Sequence, residues 1–182
     1  TPFKYTPRHD AVLAAIARRL GECQFVFFSQ RPAELMQRVR ARMARAFAGA
    51  GLDFARFAAF VPWQNRPAFR GLLAQADVYL DTMGFSGFNT ALQAIESGLP
   101  IAAWEGDYLR GRLASGILRH LGLDELVAND DAAYVDTAVR LAQDAAHWGG
   151  VRERMLAARG RLYRDAAPVR ALEKFLEQAV RR

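Results

Sequence analysis

Cysteine, histidine and lysine are all scarce in this sequence of 182 residues. The one cysteine is Cys23, and the histidines His9, His120 and His147 lie far apart along the chain. A single cysteine cannot form a disulfide within the chain, and histidines at this spacing do not match a metal-binding motif. The sequence therefore argues against a disulfide-stabilised fold and against a metal site, and we expect a reducing, cytoplasmic location.

Long hydrophobic runs are missing as well. No apolar segment reaches the roughly 20 residues that a membrane helix needs, and the first residues lack the pattern of a secretory signal peptide. We therefore expect no membrane partner. The chain begins TPFKYTP, without a methionine, and we expect it to be a fragment of a longer protein.

Positive charge predominates, and arginine supplies nearly all of it. The formal net charge is +6, yet only Lys4 and Lys174 among the 25 basic residues are lysines. The densest basic run, from Arg31 to Arg45, has no interleaved aromatic residues, so a solvated helix face is the simpler interpretation. We expect no nucleic-acid partner, and attraction to an anionic ligand is the alternative explanation of the charge.

Strand and helix patterns alternate along most of the chain. The predicted strands are Phe25–Phe28, Phe57–Val61, Val78–Leu80, Ile101–Trp104 and Leu126–Ala128. The first predicted helix ends at Gly21. The others are Ala33–Ala50, Pro67–Gln75, Thr90–Ser97, Leu109–Leu121 and Ala132–Ala146. This alternation predicts an α/β fold with a Rossmann-like, doubly wound parallel sheet over residues 1–150.

The two ends of the chain differ from this pattern. Residues 151–182 predict two helices, Val151–Tyr163 and Val169–Val180, as a C-terminal helical extension packed as part of the same domain. The residues before Pro7 are too few for the strand that normally opens such a sheet. We therefore expect the first strand to lie upstream of Thr1.

The segment Ala76–Pro100 has the clearest functional pattern. It runs from a strand through Gly84 and Gly87 into a helix that begins near Thr90. Glycine permits tight backbone turns, and free N–H groups at a helix N-terminus attract phosphate. The order indicates a candidate phosphate site, although a purely structural strand-turn-helix unit has the same pattern.

Several motifs in this order resemble the carboxyl catalytic domain of the protein O-GlcNAc transferase family, which includes bacterial and plant SPINDLY-type members. The motifs are ADVYLDT at 76–82, Gly87, Thr90, GLP at 98–100, GDYLRGR at 106–112 and GLDELVA at 122–128. The resemblance covers most of residues 57–164, is weaker before that, and returns in FKYTP at residues 3–7.

The resemblance implies a GT-B glycosyltransferase, in which two Rossmann-like domains face each other across a cleft. The carboxyl one binds a nucleotide-sugar, usually a UDP-sugar such as UDP-GlcNAc, and residues 1–150 would be that domain. No metal or other cofactor is implied, because positive side chains and a helix N-terminus can stabilise the leaving diphosphate. The resemblance also implies upstream helical repeats of about 34 residues, of the TPR kind, which would bind a protein acceptor. The general base would come from the missing amino-terminal half, so the fragment alone is expected to be inactive.

The resemblance also implies which residues bind the diphosphate. Lys4 matches the family's diphosphate lysine, which stabilises the leaving group as its charge develops. Gly87, Asn89 and Thr90 match the turn and the helix start that bind the same group. Asn89 stands where many members have threonine, and its amide can still donate a hydrogen bond.

Two candidate residues depart from the family pattern. Gln93 replaces the carboxylate that accepts hydrogen bonds from the ribose, and Phe69 replaces a histidine near the base and phosphates. An uncharged amide is a weaker acceptor, and phenylalanine can stack on uracil but cannot hydrogen-bond. Gln64 belongs to the loop, residues 62–65, that matches the base-reading segment. The departures leave open a GDP-sugar donor, a non-protein acceptor or a degenerate, non-catalytic interaction module.

The remaining polar candidates have structural interpretations. Asp77 and Asp81 flank a strand and Glu96 lies in the last turn of a helix, so we interpret all three as structural. We interpret His9 as a solvated residue in the first helical turn. The leading hypothesis is a UDP-sugar-binding domain of a protein O-glycosyltransferase. A generic dinucleotide-binding protein is disfavoured, because no GxGxxG follows an early strand.

Overall fold

Five short strands, all paired in parallel, organise the fold in a computed structural model that describes residues 2–29 and 32–180. They are β1 (Phe25–Phe28), β2 (Ala58–Val61), β3 (Tyr79–Leu80), β4 (Ile101–Trp104) and β5 (Val127–Ala128). One sheet has the order β1-β2 and the other the order β3-β4-β5. The parallel pairing confirms the predicted α/β class. The first strand that we expect upstream of Thr1 lies outside the described residues, as does Arg31 of the basic run.

The helices follow the strands in nearly the predicted order. They are α1 (Asp10–Leu20), α2 (Ala33–Gly49), α3 (Phe54–Phe57), α4 (Arg66–Leu73), α5 (Asn89–Glu96), α6 (Leu113–His120), α7 (Asp131–Gln143), α8 (Ala145–Ala158) and α9 (Ala167–Val180). Short 3-10 turns occur at Pro2–Lys4, Pro7–His9, Leu109–Gly111, Asp124–Leu126 and Arg159–Leu162. No helix that the structure describes combines the length and hydropathy needed to cross a membrane.

The core surrounds β4 and the aromatic face of β1. Ile101, Ala102 and Ala103 of β4 are fully buried, and helices α5, α6 and α7 all contact this strand. A parallel strand covered on both faces is expected to be apolar throughout. On the other sheet, Phe47 of α2 packs edge-on against Phe25 of β1, with ring centroids 6.2 Å apart. These contacts hold the carboxyl ends of the strands, where the candidate site lies, on a rigid base.

Four predicted elements begin later than the sequence pattern indicates: β2, β3, β5 and the helix predicted from Leu109. Asp53 caps α3 by accepting a hydrogen bond from the Ala55 N–H at 3.0 Å, so Phe57 is helical and the strand starts at Ala58. The single helix predicted from Leu109 to Leu121 is also wrong in its first turn. Leu109–Gly111 forms a 3-10 turn, and α6 begins only at Leu113.

The break predicted between Ala146 and Val151 is wrong. Helix α7 ends at Gln143, and the Asp144 side chain accepts a hydrogen bond from the His147 N–H at 2.8 Å, which caps the next helix. The capping bond, together with the burial of Val151 and Met155, offsets the weak helix propensity of Gly149 and Gly150, which lie inside α8.

The predicted C-terminal extension has two unlike parts. Val151 and Met155 of α8 are fully buried and join the common core. Helix α9, in contrast, is exposed along its whole described length. Residue 150 therefore lies within a helix, and the division of the chain at that residue stays a prediction.

Candidate functional site

The loop between β3 and α5 is built around a buried carboxylate. Asp81 directly follows β3 and is only 2% exposed. One carboxylate oxygen accepts a hydrogen bond from the Ser86 hydroxyl at 2.5 Å, and the other accepts one from the Gly87 N–H at 2.7 Å. Because an unpaired buried charge is costly, these two donors hold the turn against the end of the strand.

Ser86 connects this turn to three other segments. Its N–H donates to the Arg110 carbonyl at 2.7 Å, and its hydroxyl oxygen accepts from the Ala114 N–H at 2.8 Å. Its carbonyl accepts from the Lys4 ammonium at 2.8 Å. A single buried residue thus joins the loop to the start of the chain, to the turn after β4 and to the start of α6.

Lys4 is held close to the glycine turn. Besides its bond to the Ser86 carbonyl, its ammonium lies 4.7 Å from the ring centroid of Phe85. Partial burial lowers the pKa of Lys4, and the negative charge of Asp81 opposes that shift. The three donors of an ammonium allow it to bind a further acceptor while it keeps the Ser86 carbonyl.

The N-terminus of α5 is open to a ligand. Phe88, at the N-cap position, has no side-chain oxygen and makes no capping bond, whereas Asn65 caps α4 by accepting from the Ala68 N–H. The first turn of a helix has N–H groups without intrahelical partners, and they attract anions. Asn89 and Thr90 are both exposed at this end of α5.

Close packing requires glycine at position 87. A Cβ at Gly87 would lie 2.6 Å from the Thr90 hydroxyl oxygen and 2.6 Å from the Tyr79 hydroxyl oxygen. These two hydroxyl groups are themselves hydrogen-bonded at 2.7 Å. Burial raises the pKa of Tyr79, so its hydroxyl remains protonated. The Tyr134 hydroxyl of α7 donates to the Asp81 carbonyl at 2.9 Å, so α7 also helps to hold this residue in place.

The structure places the remaining candidates on neighbouring elements. Gln93 is half-buried on α5, beyond the open N-terminus. Phe69 of α4 packs on Phe28 at the end of β1, with ring centroids 5.5 Å apart. The Gln64 side chain donates to the Pro62 carbonyl at 2.9 Å. The structure therefore places Lys4 against Ser86, the residue before Gly87. Contacts of Gln64, Phe69 and Gln93 with a nucleotide stay predictions.

His9 differs from its sequence-based interpretation. It is 8% exposed rather than solvated, and its Nδ1 lies 3.1 Å from the Asp131 carboxylate. Its ring centroid is 5.2 Å from that of Trp104. The helical pattern of α1 does not show that α7 and the end of β4 cover its first turn, so the sequence could not reveal this burial.

Sequence reasoning missed the roles of Ser86, Tyr79 and Tyr134. The available signal was a carboxylate directly after a strand, followed five residues later by a serine-glycine pair. A buried carboxylate needs donors, and Ser86 and Gly87 are near enough in sequence to supply them. Tyr134 is 53 residues away from Asp81 in the chain, and no local pattern indicates its contact.

Known proteins are similar to this chain in both sequence and fold. A sequence profile described as glycosyl transferase family 41 matches residues 42–164, which is more than half of the chain. The chain belongs to glycosyl transferase family 41. The resemblance of its motifs to the O-GlcNAc transferase and SPINDLY-type catalytic domain is thereby confirmed.

Individual relatives agree with membership of family 41. A Caenorhabditis elegans UDP-N-acetylglucosamine–peptide N-acetylglucosaminyltransferase is 39% identical over 90 residues, which cover 50% of this chain and 8% of the relative. A probable SPINDLY protein of Solanum lycopersicum is 29% identical over 76 residues, 42% of this chain and 8% of the relative. The solved structure of a Thermobaculum terrenum O-GlcNAc transferase mutant matches with a TM-score of 0.77 and 27% identity. That match covers 98% of this chain and 33% of the other. The matched part of this chain thus spans only 8% of the length of each of these two curated relatives.

Replacing Gly87 with alanine is expected to destabilise the protein by about 1–3 kcal/mol, because the added methyl group has no space between Tyr79 and Thr90. Gly71→Ala is the matched control, since its added Cβ meets nothing within 4 Å on an exposed part of α4. That change should leave stability unchanged or raise it by up to about 1 kcal/mol. Chemical denaturation of both variants measures the difference, and equal stabilities would contradict the packing described for the turn.

Asp81 is expected to give the stability a distinctive pH dependence. Burial raises its pKa to about 6, although hydrogen bonds from Gly87 and Ser86 and the charge of Lys4 oppose the shift. The unfolded chain has a pKa near 4 at this residue, so between about pH 4 and pH 6 the folded protein binds more protons. The contribution of Asp81 to stability therefore falls as pH rises through that interval.

Asp81→Asn removes this titration. The stability of the wild type relative to the variant should fall by on the order of 2–3 kcal/mol between pH 4 and pH 7. Denaturant titrations of both proteins at several pH values measure that difference. Asp77→Asn, measured in the same way, controls for the general effect of replacing a carboxylate, since Asp77 is exposed. A pH-independent difference for Asp81→Asn would contradict the assignment.

Proposed function

We propose that this chain is the nucleotide-sugar-binding part of a protein O-glycosyltransferase and that its donor is a UDP-sugar such as UDP-GlcNAc. The observation that supports this most strongly is the position of Lys4. Its ammonium binds the Ser86 carbonyl at 2.8 Å, next to Gly87 and the open N-terminus of α5. A cation and free N–H groups directed at one place are what a diphosphate requires.

In the proposed reaction the acceptor hydroxyl replaces UDP at the anomeric carbon of the sugar. Negative charge develops on the diphosphate as the bond to the sugar breaks. The Lys4 ammonium and the N–H groups at Asn89 and Thr90 would stabilise that charge, because they are aligned before the reaction begins. Their positive charge can stabilise the leaving diphosphate as a metal ion does in other transferases, so the reaction that we propose needs no metal and no cofactor.

The rest of the nucleotide would extend away from this site. We assign the ribose to Gln93, whose side-chain oxygen can accept a hydrogen bond from a hydroxyl group. We assign the base to Phe69 and to the loop that contains Gln64, because an aromatic ring offers a stacking surface. Trp63 in the same loop is 74% exposed and adds a second aromatic surface.

We propose that the acceptor-binding surface and the general base lie in parts of the protein outside this chain. The C. elegans relative is named as a peptide N-acetylglucosaminyltransferase, which supports a protein acceptor. We propose that helical repeats upstream bind that acceptor and that an amino-terminal domain completes the cleft. The cytoplasm is the location that we propose for this reaction, since no disulfide is possible within the chain.

Removing the Lys4 ammonium is expected to weaken UDP binding by about 10- to 100-fold, because a charge-assisted hydrogen bond contributes roughly 1.5–3 kcal/mol. Calorimetric titration of the wild type and of Lys4→Ala with UDP measures the change. Lys174→Ala is the matched control, since this lysine is exposed on α9. Absence of UDP binding to the wild type, or equal affinity after Lys4→Ala, would refute the assignment. Tighter binding of GDP than of UDP would instead identify a GDP-sugar donor.

Restoring a carboxylate at position 93 is expected to strengthen UDP binding several-fold, because an ionised acceptor forms stronger hydrogen bonds with the ribose hydroxyls. Gln93→Asp can be compared with the wild type by the same calorimetric titration, with pyrophosphate as the control ligand. Pyrophosphate has no ribose, so its affinity should not increase. If UDP affinity also fails to increase, the pocket does not place a ribose at this residue, as expected for a degenerate interaction module.

A further inference from the structure

We infer that Asp81 is a positioning residue for the proposed diphosphate site. Its carboxylate fixes the Ser86–Gly87 turn and, through Ser86, the ammonium of Lys4, without itself contacting the ligand. This inference rests on the proposed function and assigns a residue that the sequence alone indicates only as structural.

Both oxygens of the carboxylate are directed into the turn. The Ser86 hydroxyl and the Gly87 N–H donate to different oxygens of Asp81 at 2.5 and 2.7 Å. Asp81 is only 2% exposed, so water cannot replace these donors. The Gly87 N–H is therefore hydrogen-bonded to Asp81 and is not available to an anion. The N–H groups left for a ligand are those that follow it, at the start of α5.

The position of Lys4 depends on the same turn. Its ammonium donates to the carbonyl of Ser86, the residue whose hydroxyl binds Asp81. The Ser86 carbonyl shares its peptide unit with the Gly87 N–H, which donates to Asp81, so rotation of that unit would break both bonds. The Ser86 N–H and hydroxyl oxygen hold the residue itself at Arg110 and Ala114. The geometry links Asp81 to the cation through one residue that is 1% exposed.

The charged and titratable groups around Asp81 agree with a positioning role. Lys4 provides the neighbouring positive charge, and Tyr79 and Tyr134 face the carboxylate from β3 and α7. Burial raises the pKa of both tyrosines, so they remain neutral. Asparagine at position 81 would have nearly the same shape but only one acceptor oxygen, and it could not accept from both Ser86 and Gly87 in the present geometry.

The test compares two ligands that differ in their phosphates. UDP and uridine are titrated into the wild type, Asp81→Asn and the control Asp77→Asn, in which an exposed carboxylate at the other end of the strand is removed. Asp81→Asn should weaken UDP binding by about tenfold or more, as expected for loss of a charged hydrogen-bond acceptor. Uridine affinity, followed by ligand-observed NMR, should change by less than about twofold, because the base and ribose contacts are untouched. Asp77→Asn should alter neither.

Other outcomes overturn the inference in distinguishable ways. Equal UDP affinity in the wild type and Asp81→Asn shows that the carboxylate does not position the site. Parallel losses for UDP and uridine show a general structural role only. If the wild type does not bind UDP, the proposed function fails and the inference fails with it.

A second variant applies if Asp81→Asn does not fold. Ser86→Ala removes the hydroxyl that joins Asp81 to Ala114 but keeps the bond between Asp81 and the Gly87 N–H. It should weaken UDP binding several-fold and leave uridine binding unchanged. UDP binding equal to that of the wild type would contradict the link from Asp81 to Lys4.

Discussion

A carboxylate buried at the end of a strand must find hydrogen-bond donors, because it loses the solvation that water provides. In this protein Asp81 finds them in Ser86 and Gly87, and that requirement shapes the whole β3–α5 loop. The path of the loop then places the N-terminus of α5 and the Ser86 carbonyl, which in turn holds Lys4. The candidate site thus depends on the hydrogen bonds that one buried carboxylate requires.

The sheet supplies the rigid base on which this loop rests. β4 lies between β3 and β5, and its small, fully buried residues allow helices to pack closely on it. The turn after β4 meets the glycine loop through the bond between Arg110 and Ser86. Parallel strands gather such loops at their carboxyl ends, which is where α/β proteins commonly bind nucleotides.

Much of the fold was predictable because it depends on local pattern. The strands and most helices have the apolar spacing that the sequence shows, and Gly87 lies where a turn is expected. Two of the errors occur where one side chain changes a boundary. Asp53 and Asp144 cap helices that propensity alone does not indicate, and the latter cap lets α8 continue through two glycines. A capping bond of about 1 kcal/mol is enough to move a helix end.

By itself, the sequence determined the alternating α/β order, the glycine turn and the family motifs that indicate a nucleotide-sugar site. These depend on spacing along the chain, which a sequence displays directly. Only the tertiary structure decided that Lys4 meets Ser86, 82 residues away, and that Tyr134 supports Asp81. It also decided that His9 is buried against Asp131. Such contacts follow from how distant elements pack, because burial and charge pairing depend on neighbours that a linear pattern does not specify.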